Sequence, residues 1–248
     1  MITGRKQILN NNRANAVKNM LKLMDLTAES KKIEQLILYT KMLEQGLQSK
    51  RVTGEKTVEG IVFKQLYDSL YLVKLKQLRR GNMVADVGSG GGIPGIPVKI
   101  MLPDVNISMI EANRKKAAFI KQVIDALGLL KAEVFWERVE ETGHKQEHRG
   151  QYNVVMCKAL AEMNVLAEIC LPLLKMDGNA FIYKGPAGEK EVEIAKKAIE
   201  QCGGQIAEKW FYKLPGGESR IIYRIIKDKK TPDNYPRKVG KPFKNPIK

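Results

Sequence analysis

Apolar positions change their period once along the chain. Through residues 1–78 they recur at helical spacing, as Val17, Met20, Leu21 and Met24 and again as Ile33, Leu36, Ile37 and Leu43, with no strand-like alternation. This predicts an N-terminal helical cap: one helix, a second beginning at Thr27 or Ser30, a loop over 47–57 between Gly46 and Thr57, and a third helix over 58–73. Beyond it, short apolar runs alternate with helical stretches. Strands are predicted over 84–87, 105–111, 133–137, 152–157 and 180–184. Helices are predicted from Pro94, over 113–127, over 163–174 ending near Asp177-Gly178, and over 189–201 closed by Gly203-Gly204. Such alternation gives a mainly parallel sheet with helices on both faces. Two further strands, 206–213 and 220–226, are joined by the turn LPGGES and finish the sheet with an antiparallel hairpin.

The chemistry concentrates where the first strand ends. Residues 83–97 read MVADVGSGGGIPGIP, an apolar run that meets Asp86 and then five glycines within eight positions. Glycine permits positive backbone dihedrals and close approach of a ligand, and the prolines suit a helix first turn. A strand, glycine turn and helix start form the ligand corner of an open α/β sheet. Gly90 to Gly95 satisfies GxGxxG, and Glu111 lies at a distance suited to a ribose contact, so a dinucleotide remains a candidate. Against it, the Asp86 carboxylate faces the place a pyrophosphate would occupy, and the terminal hairpin departs from a dinucleotide domain. A cationic sulfonium reverses that electrostatic argument. Asp86, Gly88, Gly90 and Gly92 form D-x-G-x-G-x-G, which resembles the first motif of S-adenosylmethionine-dependent methyltransferases. On that reading Asp86 faces the methionine end, Glu111 the ribose, and Glu140 the adenine amino group.

Charge narrows the partner. Lys and Arg number 43 against 27 Asp and Glu, a formal net charge of +16, which points to a polyanion such as nucleic acid. Residues 229–248 are basic and Pro-rich with Tyr235 and Phe243 interspersed, and predict a flexible tail that orders on RNA. Cys157, Cys170 and Cys202 form neither a disulfide framework nor a metal-ligand cluster. With no apolar run of bilayer-spanning length and no signal-type N-terminus, a soluble cytoplasmic protein with no membrane or metal is expected. The expected domains are the cap at 1–78, the catalytic domain at 79–228 and the tail at 229–248.

Several segments together carry a closer likeness: DVGSGGGIPGIP at 86–97, EANRKKAAFIKQV at 111–123, RVEE at 138–141, CKA at 157–159, YKG at 183–185, ESR at 218–220 and YPRKVGKP at 235–242. From about residue 33 onward the chain resembles the glucose-inhibited division protein B family of bacterial small-subunit ribosomal RNA guanine-N7 methyltransferases. The resemblance implies a Rossmann-like class I methyltransferase fold, S-adenosylmethionine as cofactor, small-subunit ribosomal RNA or the 30S subunit as partner, and a monomer. It puts Gly88, Ile93, Val139, Glu140 and Lys158 on cofactor-binding positions, joined here by Asp86, Gly90, Gly92, Glu111 and Ala112. Gln65 stands where the family usually has histidine, Lys158 where arginine is usual after the fourth strand, and Arg51-Val-Thr53 where Asn-Leu-Thr is common. Lysine keeps the charge of arginine without its planar fork. Asp68 and Gln65 are expected to position the base, and Arg51, Lys184, Arg220, Arg237, Lys238 and Lys241 to contact RNA. A non-catalytic RNA-binding or assembly factor with the same fold is the alternative.

Overall fold

The seven strands are β1 (Met83–Val87), β2 (Asn106–Ile110), β3 (Ala132–Phe135), β4 (Tyr152–Lys158), β5 (Leu174–Lys184), β6 (Gly204–Lys213) and β7 (Ser219–Lys227). They form one sheet in the order β3-β2-β1-β4-β5-β7-β6. The first five strands are parallel, and β7 lies antiparallel between β5 and β6. The structure, a computed structural model, describes residues 2–50, 54, 55 and 57–248, and the side chains of 11–46, 54, 55 and 57–248. The strand order reverses beside β1, where β2 continues the sheet one way and β4 the other. Ligands bind at such a point, outside the carboxyl ends of the strands.

Side-chain alternation divides the core into two. Val84, Val154, Met156, Phe181 and Tyr183 point to one face, and Ala85, Val87, Val155, Cys157, Ala180 and Ile182 to the other. The first face is covered by α1 (Ile2–Leu23), α2 (Ser30–Lys50), α3 (Val58–Gly60), α4 (Tyr67–Lys74), α5 (Gly95–Met101) and α6 (Arg114–Leu127). The second is covered by α7 (Val139–Thr142), α8 (Met163–Cys170) and α9 (Gly188–Gln201). Val17, Met20, Leu36, Tyr39 and Leu43 are fully buried in the same core as Ile96 and Ile120, so the N-terminal helices are one layer of the sheet's own packing. Each such buried apolar side chain contributes about 1.5–3 kcal/mol. Gln35 Nε2 donates to Leu127 O at 2.7 Å and ties α2 to the end of α6.

Three expectations are corrected here. The second helix runs through Lys50, so the loop expected from residue 47 starts later. The helix expected over 163–174 ends at Cys170 and passes into a 3-10 turn, Leu171–Leu173, because Pro172 has no amide hydrogen to continue an α-helix. β5 therefore begins at Leu174 and contains Asp177, at φ 61°, and Gly178, where a β-carbon would lie 2.9–3.2 Å from three carbonyl oxygens.

The third correction concerns the C-terminus. Residues 229–248 lie packed on the second face and include the short helix α10 (Lys241–Lys244). Arg149 donates to the carbonyls of Gly143, Thr231, Pro232 and Tyr235 at 2.7–3.1 Å, and Arg237 forks onto Glu168, which is fully buried in α8. Hydrogen bonds and a buried ion pair hold a segment whose apolar content alone is too low to hold it.

Candidate active site

At the end of β1 the backbone turns under the glycines. Gly88, Gly90 and Gly92 have φ of 70°, 59° and 89°. The φ of Gly88 favours glycine, and a β-carbon there would press on the Leu160 methyls at 2.8 Å. Asp86 shares the face of Val84 and is fully buried. Its Oδ2 accepts from the Gly95 amide at 2.9 Å, while Oδ1 is buried without a hydrogen-bond partner. Burial pushes its carboxyl from 3.8 to about 7, against the stabilising Gly95 and Ser89 hydrogen bonds. From the cap, the Tyr39 hydroxyl donates to Gly91 O at 2.8 Å, so α2 braces the turn directly.

The end of β2 and the α7 turn after β3 supply the next two acids. Glu111 accepts from the Gly90 amide at 2.8 Å through Oε2 and from the Asn113 amide at 2.7 Å through Oε1. Asn113 also caps α6, its side chain accepting from the Lys115 and Lys116 amides. Glu140, in the first turn of α7, accepts from the Gly240 amide at 2.9 Å. Gly88, Glu111, Ala112, Val139 and Glu140 line one cavity of about 70 Å³ together with Leu160 and Phe243. Gly92 and Ile93 do not line it. They lie buried below the turn, where a β-carbon on Gly92 would meet Ile96 at 2.5 Å.

Beyond β4 a second polar group gathers. A π-helical turn, Ile61–Leu66, connects α3 to α4; it carries Lys64, which pairs with Glu218, and Gln65, and Asp68 follows in the first turn of α4. Lys158 Nζ donates to Gln65 Oε1 at 2.9 Å and stands 3.3 Å from Asp68 Oδ2. Arg220 Nε lies 3.9 Å from the same oxygen, and the Tyr212 hydroxyl hydrogen-bonds Asp68 Oδ1. Tyr212 stacks on Tyr71 with ring centroids 3.7 Å apart. Desolvation and the Asp68 charge hold that hydroxyl protonated far above the usual phenol range.

A glycine cradle flanked by acids at the ends of β1 and β2 and in α7 describes many ligand sites, and comparison with known proteins narrows it to one family. A family model described as rRNA small subunit methyltransferase G matches residues 32–215. Curated relatives named Ribosomal RNA small subunit methyltransferase G from Pelotomaculum thermopropionicum and Moorella thermoacetica are each 37% identical to it. They cover 94% and 90% of this chain, and 98% and 93% of their own lengths are matched. The chain belongs to this family. Among solved structures, TrmN from Thermus thermophilus aligns with a TM-score of 0.53 at 14% identity, over 65% of this chain and 48% of that one. A predicted O-methyltransferase from Agrobacterium tumefaciens, Atu636, also aligns at 0.53, with 18% identity over 65% of this chain and 81% of its own. Both likenesses concern the fold, which is that of class I methyltransferases.

Membership in the methyltransferase G family makes S-adenosylmethionine the cofactor, and the residues present fit it. The turn has no side chain at Gly88 to block close approach, and Asp86 presents an orphaned carboxylate oxygen beneath it, suited to a cationic ligand. The predicted RNA contacts divide. Lys184 is held by Ala161 O and Glu191, both at 2.5 Å, and Arg237 by Glu168, so neither charge is free for phosphate. Arg220 is drawn toward Asp68, whereas Lys238 and Lys241 are exposed. Arg51 lies outside the described residues. Sequence reasoning missed Tyr212, Glu168 and the Gly240 amide. The hairpin register held a signal for the first, since Tyr212 pairs with Arg220 across it.

Proposed function

We propose that this chain methylates N7 of a guanine in small-subunit ribosomal RNA, acting as a monomer. The observation that carries the reading is the adjacency of two groups, the cradle at Asp86 and Gly88 and the cluster of Gln65, Asp68, Lys158 and Arg220 at the next strand end. When bound, S-adenosylmethionine supplies an electrophilic methyl group on a cationic sulfur. Gly88, Val139 and Glu140 would hold its adenosyl end, Glu111 its ribose and Asp86 its charged methionine end.

Guanine N7 has a free lone pair at neutral pH, so the chain has no proton to remove from the nucleophile. What remains for the protein is orientation and exclusion of water. Lys158 fixes Gln65 and Asp68 against each other, and these two side chains are suited to hydrogen-bond the edge of a purine. Asp68 is also placed to stabilise the positive charge that develops on the base. Lys238 and Lys241 supply cationic contacts for the phosphate backbone.

The reading is tested by transfer of labelled methyl from S-adenosylmethionine to 30S subunits and to their naked RNA from cells lacking the enzyme. Label recovered as 7-methylguanosine is the expected result. Tight cofactor binding with no transfer to either substrate would instead support an assembly factor, and label in another nucleoside would overturn the N7 assignment.

A further inference from the structure

The cavity that gathers the cofactor positions has one wall from outside the sheet and its crossover loops. Gly88, Glu111, Ala112, Val139 and Glu140 come from strand ends and the α7 turn, whereas Phe243 comes from α10 in the C-terminal segment. Of the apolar side chains lining that cavity, Phe243 alone is exposed, at 43%. The segment that carries it is fastened on both sides. Before it, Arg237 engages the buried Glu168 through its backbone amide at 2.8 Å and its guanidinium at 2.6 and 2.8 Å. After it, Ile247 O accepts from Asn164 Nδ2 at 3.1 Å. Between these anchors the Gly240 amide donates to Glu140 Oε1, fixing a carboxylate that lines the same cavity.

We propose that the C-terminal segment, residues 235–248, is the outer wall of the cofactor site, with the Phe243 ring covering the adenine face and the Gly240 amide orienting Glu140. The inference rests on the reading of this cavity as the adenosyl end of the S-adenosylmethionine site. A flat aromatic ring is the natural cover for a purine, since stacking needs only two exposed faces. Phe243 is the exposed apolar side chain of the lining, so a base entering from solvent can meet the face of its ring. Phe243 thus serves the cofactor, leaving the segment's lysines to face RNA.

Calorimetric titration of the full chain with S-adenosylhomocysteine, alongside hydrogen exchange of residues 238–247, tests the proposal. Phe243→Ala should weaken binding by about tenfold or more while leaving the unfolding midpoint unchanged, and Phe243→Trp should restore it. In the unsubstituted chain the ligand should slow exchange across 240–244. Unchanged or tighter binding by Phe243→Ala, or faster exchange of the segment on binding, would overturn the wall while leaving the cofactor reading intact. No binding to the unsubstituted chain would overturn the cofactor reading and the wall with it.

Discussion

Lys158 and Asp68 face each other at 3.3 Å across the gap between β4 and α4, with side-chain exposures of only 12% and 4%. The ammonium also donates to Gln65, so one cation organises both residues expected to position the acceptor base. Removing it leaves the Asp68 carboxylate nearly buried with a weaker cationic neighbour, Arg220 at 3.9 Å. Lys158→Met should therefore destabilise the fold by about 3 kcal/mol, the order expected for a broken buried pair, and abolish methyl transfer. Lys158→Arg should keep at least half of the stability and activity, because it restores the charge and the donors. Denaturant unfolding and single-turnover transfer measure the two effects separately. Equal stability of the Met variant would show that the pair carries no structural role.

Tyr212 acts on the same carboxylate from the hairpin. Its hydroxyl donates to Asp68 while its ring is locked against Tyr71. Tyr212→Phe keeps the stacking and removes one charge-assisted hydrogen bond, a loss of about 1.5–3 kcal/mol in stability. Since Asp68 would then be held from the Lys158 and Arg220 side alone, turnover should fall by roughly tenfold, with the affinity for S-adenosylhomocysteine unchanged. Parallel calorimetry and kinetics decide this, and a weakened cofactor affinity would place Tyr212 in the cofactor site instead.

The sheet was legible because its signal is local. Apolar runs of strand length between helical periods gave all seven strands, and the two prolines and five glycines at 88–97 marked the ligand corner. Pro172 was a stop signal left unused, which is why the helix was carried past Cys170 into β5. The positions of Asp86 and Glu111 at the ends of β1 and β2 were also readable, since each follows apolar residues, whereas Glu140 lies in α7, beyond the charged pair Glu137-Arg138. The C-terminal segment was not, because its partners are distant and atypical. Glu168 sits in the helix MNVLAEIC, where seven of the eight side chains give no hint of a buried carboxylate waiting for an arginine sixty-nine positions later. Composition correctly reports that residues 229–248 lack the apolar surface to fold alone, and it is blind to a cation that docks them.

That docking separates two kinds of basic residue in one short segment. Arg237→Ala leaves the buried Glu168 without the guanidinium, keeping only the backbone amide bond, and should cost about 3–5 kcal/mol of stability. Lys238→Ala and Lys241→Ala touch exposed side chains and should leave stability within about 0.5 kcal/mol. Their effect should appear in RNA affinity, where each neutralised phosphate contact lowers the slope of log affinity against log salt by roughly 1. Filter binding across a salt series, with denaturant melts of the same variants, measures both. A salt slope unaffected by the double Lys→Ala change would place the RNA elsewhere on the surface.

Asp86 should link cofactor binding to pH. Its carboxyl is raised by burial to about 7, so in the free protein it holds a proton between pH 4 and 7 that the unfolded chain has released. The folded state therefore binds more protons over that range, and the contribution to stability is fully present below about 4 and is lost as pH rises through about 7. Asp86→Asn should remove this loss and be the more stable chain at pH 8, by an amount on the order of a few kcal/mol. Binding has the opposite dependence. A cationic ligand near the orphaned Oδ1 favours the carboxylate, so S-adenosylmethionine should bind with release of close to one proton at pH 6 and almost none at pH 8.5. Affinity should rise with pH up to about 7 and then level off, and the Asn variant should bind weakly at every pH. Titration in buffers of different ionisation enthalpy counts the protons directly. A pH-independent affinity with no proton release would mean that Asp86 only supports the turn through Gly95 and does not sense the charge of the cofactor.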